Sequence, residues 1–102
     1  MENEDCSRKI FAEMRYSEEY TDVHSDIVAL MNIYFTDIMS GLQGDSWVWI
    51  TDGNEKVAID TFSSMKHQVK SCSAGQHVQK VIDALRVKYD VHVFDSPLEE
   101  WG

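Results

Sequence analysis

Proline is nearly missing from this chain, with one residue in 102, and glycine occurs only five times. So few backbone breakers exclude collagen-like, proline-rich and low-complexity architectures. Cysteine is equally scarce: Cys6 and Cys72 are the two thiols, too few for a disulfide framework, so the expectation is a reduced pair in a cytosol. No stretch of eighteen uncharged apolar residues occurs, so no membrane span is expected. The start, Met1-Glu2-Asn3-Glu4-Asp5, is acidic where an export signal would be basic and then apolar, and a cytoplasmic location follows as the expectation. Positive charge is the last shortage. Nine Lys+Arg stand against eighteen Asp+Glu, giving a net charge of -9 and a pI near 4.6, which argues against direct contact with nucleic acid or an anionic membrane and in favour of a basic partner.

What is present suits a folded domain: 43% hydrophobic and 11% aromatic residues in a length that fits one core, so residues 1–102 are read as a single domain. About the first seven residues are the candidate for disorder. Charge is uneven, with ten acids and three bases in residues 1–45 (net -7) and eight acids and six bases in residues 46–102 (net -2).

Along the chain, Lys9–Tyr16 fits either a strand, with Ile10, Ala12, Met14 and Tyr16 on one face, or a helical turn joining Ile10, Phe11 and Met14. Thr21 or Ser25 can cap the next segment, in which Ile27, Leu30, Met31, Tyr34, Ile38 and Leu42 recur at helical spacing. This predicts a long helix over about 22–42, closed by Gly41 and Gly44. Residues 46–51 and 56–62 alternate as two strands around Asp52-Gly53-Asn54, a hairpin signal. A short helix is expected from Ser63 or Ser64 to about Lys70. Ser73 with Gln76 forms a capping box ahead of a second helix, with Val78, Val81, Ile82 and Leu85 as its stripe, to about Tyr89. Residues 90–95 read as a closing strand, stopped by Ser96-Pro97, and an acidic aromatic tail ends the chain. The predicted fold is therefore α+β: the hairpin plus the C-terminal strand in a small sheet, packed against the long helix and the second helix. The last strand is expected to lie parallel to a hairpin strand.

Few residues point to chemistry. His67, Cys72 and His77, spaced five and five, offer a thiol and two imidazoles, but this is no established ligand spacing and no metal or cofactor is expected. Asp60 in the second strand and Asp95 at the end of the last deserve weight as carboxylates, and a solvent- or partner-facing role is favoured for Asp60 over general acid–base work. Trp47 and Trp49 share one strand face. They form core under the long helix, or, if the helices cover Val48 and Ile50, they stand on the open face as anchors of the kind enriched in binding hot spots. Trp101, Glu99 and Glu100 in the tail, and Asp52 and Glu55 beside the hairpin turn, complete the candidate partner-binding set with Trp47, Trp49, Asp60 and Asp95.

These features favour an acidic inhibitor whose carboxylates meet the Lys, Arg and His of a basic enzyme, with aromatic anchors slowing release. In length, charge and mixed helix and hairpin layout, the chain resembles bacterial immunity proteins of contact-dependent inhibition systems and colicin-like nucleases. The resemblance rests on these whole-chain features, with no motif matched residue by residue. It implies a protein that binds a cognate toxin nuclease domain and occludes its active site. Three alternatives remain: a small enzyme or ligand-binding domain using Asp60, His67, Cys72 and His77; a phage or plasmid nucleic-acid mimic; and assembly into a homo-oligomer through a second apolar flank of the long helix.

Overall fold

The computed structural model describes residues 7–62 and 64–99. Its elements are β1 (Lys9–Arg15), α1 (Tyr20–Tyr34), β2 (Ile38–Gln43), β3 (Asp45–Asp52), β4 (Glu55–Asp60), β5 (Gln68–Ser71), α2 (Gln76–Leu85) and β6 (Asp90–Glu99). The strands form one six-stranded sheet in the order β2-β3-β4-β5-β1-β6, antiparallel at every pairing. Both helices bury one stripe each against the same face, and the fold is α+β. On α1 the stripe is Val23, His24, Ile27, Leu30 and Met31; on α2 it is His77, Val78, Val81, Ile82, Ala84 and Leu85, the spacing of a helix with one apolar side. Beneath them lie Val48, Ile50, Val57, Ile59 and Val69, joined by Phe11, Ala12, Met14 and Val91 from β1 and β6.

The β3–β4 hairpin forms as the alternation predicts. Asp52 pairs with Glu55, so the loop is Gly53-Asn54, and of the two only Gly53 has positive φ, at 65°, which fits a type II′ turn whose twist matches the strands. Elsewhere the structure corrects the sequence reading. The predicted helix over 22–42 is two elements: α1 starts at Tyr20 with Glu19, not Thr21 or Ser25, in the cap position, and ends where Phe35 turns extended. Ile38–Gln43 then pairs residue by residue with β3. Ile38 and Leu42 satisfy both a helical and an alternating period, and the ladder with β3 decides between them. The short helix expected from residue 63 or 64 to about 70 does not form among the described residues 64–70; Met65 is exposed and Val69 is fully buried inside β5. The capping box does not form, since Gly75 occupies the cap of α2 and Ser73 donates instead to Glu55 at 3.2 Å.

Two irregularities shape the β1 end of the sheet. A bulge at Phe11 shifts the β1–β5 register between Ile10 and Ala12, so Phe11 and Ala12 join the core while Ile10 moves to the other face, breaking the predicted Ile10/Ala12/Met14 alignment. β6 does not stop at Ser96-Pro97. It pairs with β1 as far as Val93, skips residues 94–97 and resumes at Leu98. Proline is tolerated there because β6 is an edge strand. β6 runs parallel to the hairpin strand β3, as expected, but β4, β5 and β1 lie between them, and its ladder is the antiparallel one with β1. Cys72 is disulfide-bonded, which overturns the expectation of two reduced thiols. The other cysteine, Cys6, lies outside the described residues.

On the face away from the helices, Lys70 and Asp60 are fully buried. Lys70 Nζ lies 2.5 Å from Asp60 Oδ1, Arg8 Nη2 lies 3.4 Å from Oδ2, and the Phe62 N–H donates to Oδ1 at 3.2 Å. A buried carboxylate is tolerated only when so surrounded. Lys70→Met is therefore expected to cost about 3 kcal/mol in urea unfolding, because the Asp60 charge stays buried, and a second change, Asp60→Leu, to restore most of it. A loss below about 1 kcal/mol for the single variant would contradict this account.

Candidate functional site

β3 runs beneath α1 with Ser46, Val48 and Ile50 facing the helices, all at 0% exposure. The odd positions must then face away, and Trp47 and Trp49 stand on the helix-free side. Of the two arrangements open to the sequence, the tryptophans are not core under a helix. Their rings lie 4.5 Å apart between centroids at 39°, and Trp49 is 44% exposed. Gly41 makes the arrangement possible. It pairs with Trp47 across the β2–β3 ladder, and a Cβ at Gly41 would overlap the Trp47 indole, so the missing side chain is the bay in which that ring lies. Met39, paired with Trp49 and 60% exposed, extends the apolar margin to the sheet edge. Toward the middle of this face Ile10, Ala58, Asp60 and Lys70 are buried.

The other candidate residues do not converge on the tryptophans. Asp60 is no partner-facing carboxylate; it is buried in the ion pair with Lys70. Asp52 and Glu55 sit at the hairpin tip with the parity of Ile50 and Val57, on the helix side, where Asp52 meets Lys80 at 3.1 Å and Glu55 meets Ser73. Asp95 and Glu99 belong to β6, four strand positions from β3, or roughly 19 Å at the usual strand spacing. Glu99 pairs with Lys9 at 2.8 Å. Glu100 and Trp101 lie outside the described residues. The described members of the candidate partner-binding set thus divide into an exposed aromatic margin, a buried Asp60 and two separate acidic clusters.

The residues of the enzymatic alternative are also dispersed. Asp60 and His67 lie on opposite faces of the sheet, the Cys72 sulfur is in its disulfide, and His77 Nε2 lies 2.9 Å from the Ser73 carbonyl. Among the described residues no group of three His, Cys, Asp or Glu is arranged to hold a metal ion, and no helix is long and apolar enough to cross a membrane.

A polar chain that sequence reasoning missed runs under the helices. His24 Nδ1 on α1 lies 2.6 Å from Ser46 Oγ, Ser46 Oγ lies 2.7 Å from His67 Nε2, and His67 Nδ1 lies 2.7 Å from the Tyr16 hydroxyl. One neutral arrangement satisfies every group: Tyr16 donates to His67, His67 donates through Nε2 to Ser46, and Ser46 donates to His24. Ser46 has a single proton, so it donates to one imidazole and accepts from the other. Burial, together with the nearby His24, holds the His67 pKa down to about 4, and burial lowers that of His24. A serine between two imidazoles suggests a nucleophile, yet Ser46 and His67 are both fully buried, and the chain serves to fasten α1 to the sheet. At its outer end, Tyr16 and Tyr89 pack edge to face, 6.4 Å between centroids, in a cleft of about 410 Å³ rimmed by Glu18, Asp22, Asp26 and Lys88. Burial and the Asp26 carboxylate push the Tyr89 pKa up to about 12.

No protein-family model matches the chain, and no characterised protein or solved structure shows significant similarity to it.

The polar chain fixes a pH dependence. Below its ordinary pKa of 6.5, His67 takes up a proton in the unfolded chain but not in the folded one until about pH 4, so stability is full above neutrality and drains as pH falls through this window. Unfolding free energy should drop by about 2 kcal/mol from pH 7.5 to 5 through His67 alone. Denaturant melts of the wild type and of His67→Gln at both pH values check this. An equal loss in the variant would show that His67 is not its source.

Proposed function

We propose that the protein is an acidic binding module that docks a basic protein through the Trp47–Trp49 margin of its sheet, in the manner of an immunity protein that neutralises a toxin nuclease. The close indole pair on the helix-free face, with Trp49 half-exposed, carries this reading. Tryptophan dominates binding hot spots because one rigid ring removes much apolar surface from water at little entropic cost. Charge adds encounter speed. With a net charge of -9, the acids at the hairpin tip and on β6 need not touch the partner to steer it, since the summed field acts across the surface and weakens with salt.

A partner with a cationic nuclease site is complementary to this surface, and its occlusion is the mode of inhibition we assign. The enzymatic alternative draws no support from Asp60, His67, Cys72 and His77, each of which is engaged elsewhere. The cytoplasmic setting loses the support of reduced thiols, because a disulfide at Cys72 suits an oxidising compartment.

Immobilised wild-type protein should retain a basic protein from its source cells at low salt and release it as salt rises. Trp49→Ala should weaken that complex by about 30-fold, a loss on the order of 2 kcal/mol. The retained protein should lose its activity on RNA or DNA when one equivalent of the chain is added. Equal retention by wild type and Trp49→Ala would sink the tryptophan margin as the docking surface.

A further inference from the structure

Resting on the proposed binding function, we infer that the β2 edge is the docking rail itself: it accepts an extended segment of the basic partner as a seventh, antiparallel strand. The sheet has two edges, and only one is blocked. β6 carries Asp90, Asp95 and Glu99, the proline Pro97, and a register break over residues 94–97, all devices that deter pairing with another chain. β2, Ile38-Met39-Ser40-Gly41-Leu42-Gln43, has no charge, no proline and an unbroken register with β3.

The phase of the ladder decides which groups are offered. The Thr51 N–H donates to the Asp37 carbonyl at 3.0 Å, so Asp37, Met39, Gly41 and Gln43 aim their backbone groups at β3. Ile38, Ser40 and Leu42 then present theirs outward. Apolar cover is ready on both sides of an added strand, with Met39 60% exposed beside the tryptophans and Leu42 44% exposed on the helix side.

Charge selects the occupant. Residues 16–55 contain eight acids and no Lys or Arg, and Asp37 and Asp45 bracket β2 at its two ends. A strand with alternating apolar residues and basic flanks would match both features. A second copy fits poorly, because antiparallel β2–β2 pairing would bring Asp37 of each copy toward Asp45 of the other. With the net charge of -9 on each chain, that contact is repulsive.

The test uses the full-length, isotope-labelled chain at low salt and three end-blocked peptides of about nine residues, enough to span a strand of this length. They alternate lysine with valine, glutamate with valine, and lysine with proline. The lysine–valine peptide should slow amide exchange at Ile38, Ser40 and Leu42 by about tenfold or more. The glutamate peptide should fail through charge and the lysine–proline peptide through its missing N–H groups. Ser40→Lys, a basic substitution at an exposed edge position, should abolish the effect while leaving exchange in β4 and β5 unchanged. Four results would each overturn the inference: unchanged edge exchange, an equal effect of the lysine–proline peptide, chemical-shift changes confined to the α1 acids, or edge protection that rises with the concentration of the chain alone and so marks a second copy. Salt-sensitive capture that depends on Trp49 but survives Ser40→Lys would remove the edge rail and leave the basic-partner reading standing.

Discussion

The hydroxyl of Ser46, held between His24 of α1 and His67 beside β5, fastens the helix layer to the sheet. Apolar packing alone is tolerant of sliding, since one aliphatic side chain replaces another at little cost. A buried hydrogen-bonded chain is not tolerant, because a shift of one residue would strand its polar groups without partners at about 1–3 kcal/mol each. With Ser46 fixed inward, alternation along β3 sends Val48 and Ile50 to the core and Trp47 and Trp49 to the opposite face. The exposed aromatic margin is thus a consequence of how the helices are attached.

The opposite face has its own constraint. Lys70 and Asp60 bring charge into a buried site, an arrangement that contributes little to net stability but penalises any register in which the two part. Together the polar chain above the sheet and the ion pair below it fix β3, β4 and β5 from both sides. The tryptophans then project from a rigid support.

Much of this was legible in the sequence. The Trp-Val-Trp-Ile alternation and the Gly53 turn announced β3 and β4, and the Val78/Val81/Ile82/Leu85 stripe announced α2. The junction between α1 and β2 was not legible, because Ile38 and Leu42 fit two periods and the deciding partner, β3, lies outside any local window. Nor was the polar chain, whose bonded members stand 22, 21 and 51 positions apart and share no local pattern. Two signals pointed to it: His24 falls on the apolar stripe of its helix, and Ser46 shares the parity of Val48 and Ile50. Asp60 was misjudged because its strand face carries Ala58 and a solvent-facing role looked natural; burial came from Lys70, on a strand whose existence the sequence had hidden as a helix.

The helices occupy one face of β3 and leave the tryptophans on the other. Fluorine NMR of the 5-fluorotryptophan-labelled protein, with Trp101→Phe to leave two signals, tests this directly by adding a soluble paramagnetic agent. The account predicts strong relaxation of the Trp49 signal and weaker relaxation of Trp47, whose ring rests in the Gly41 bay. Two signals equally shielded from the agent would place both rings in a closed interior and contradict it.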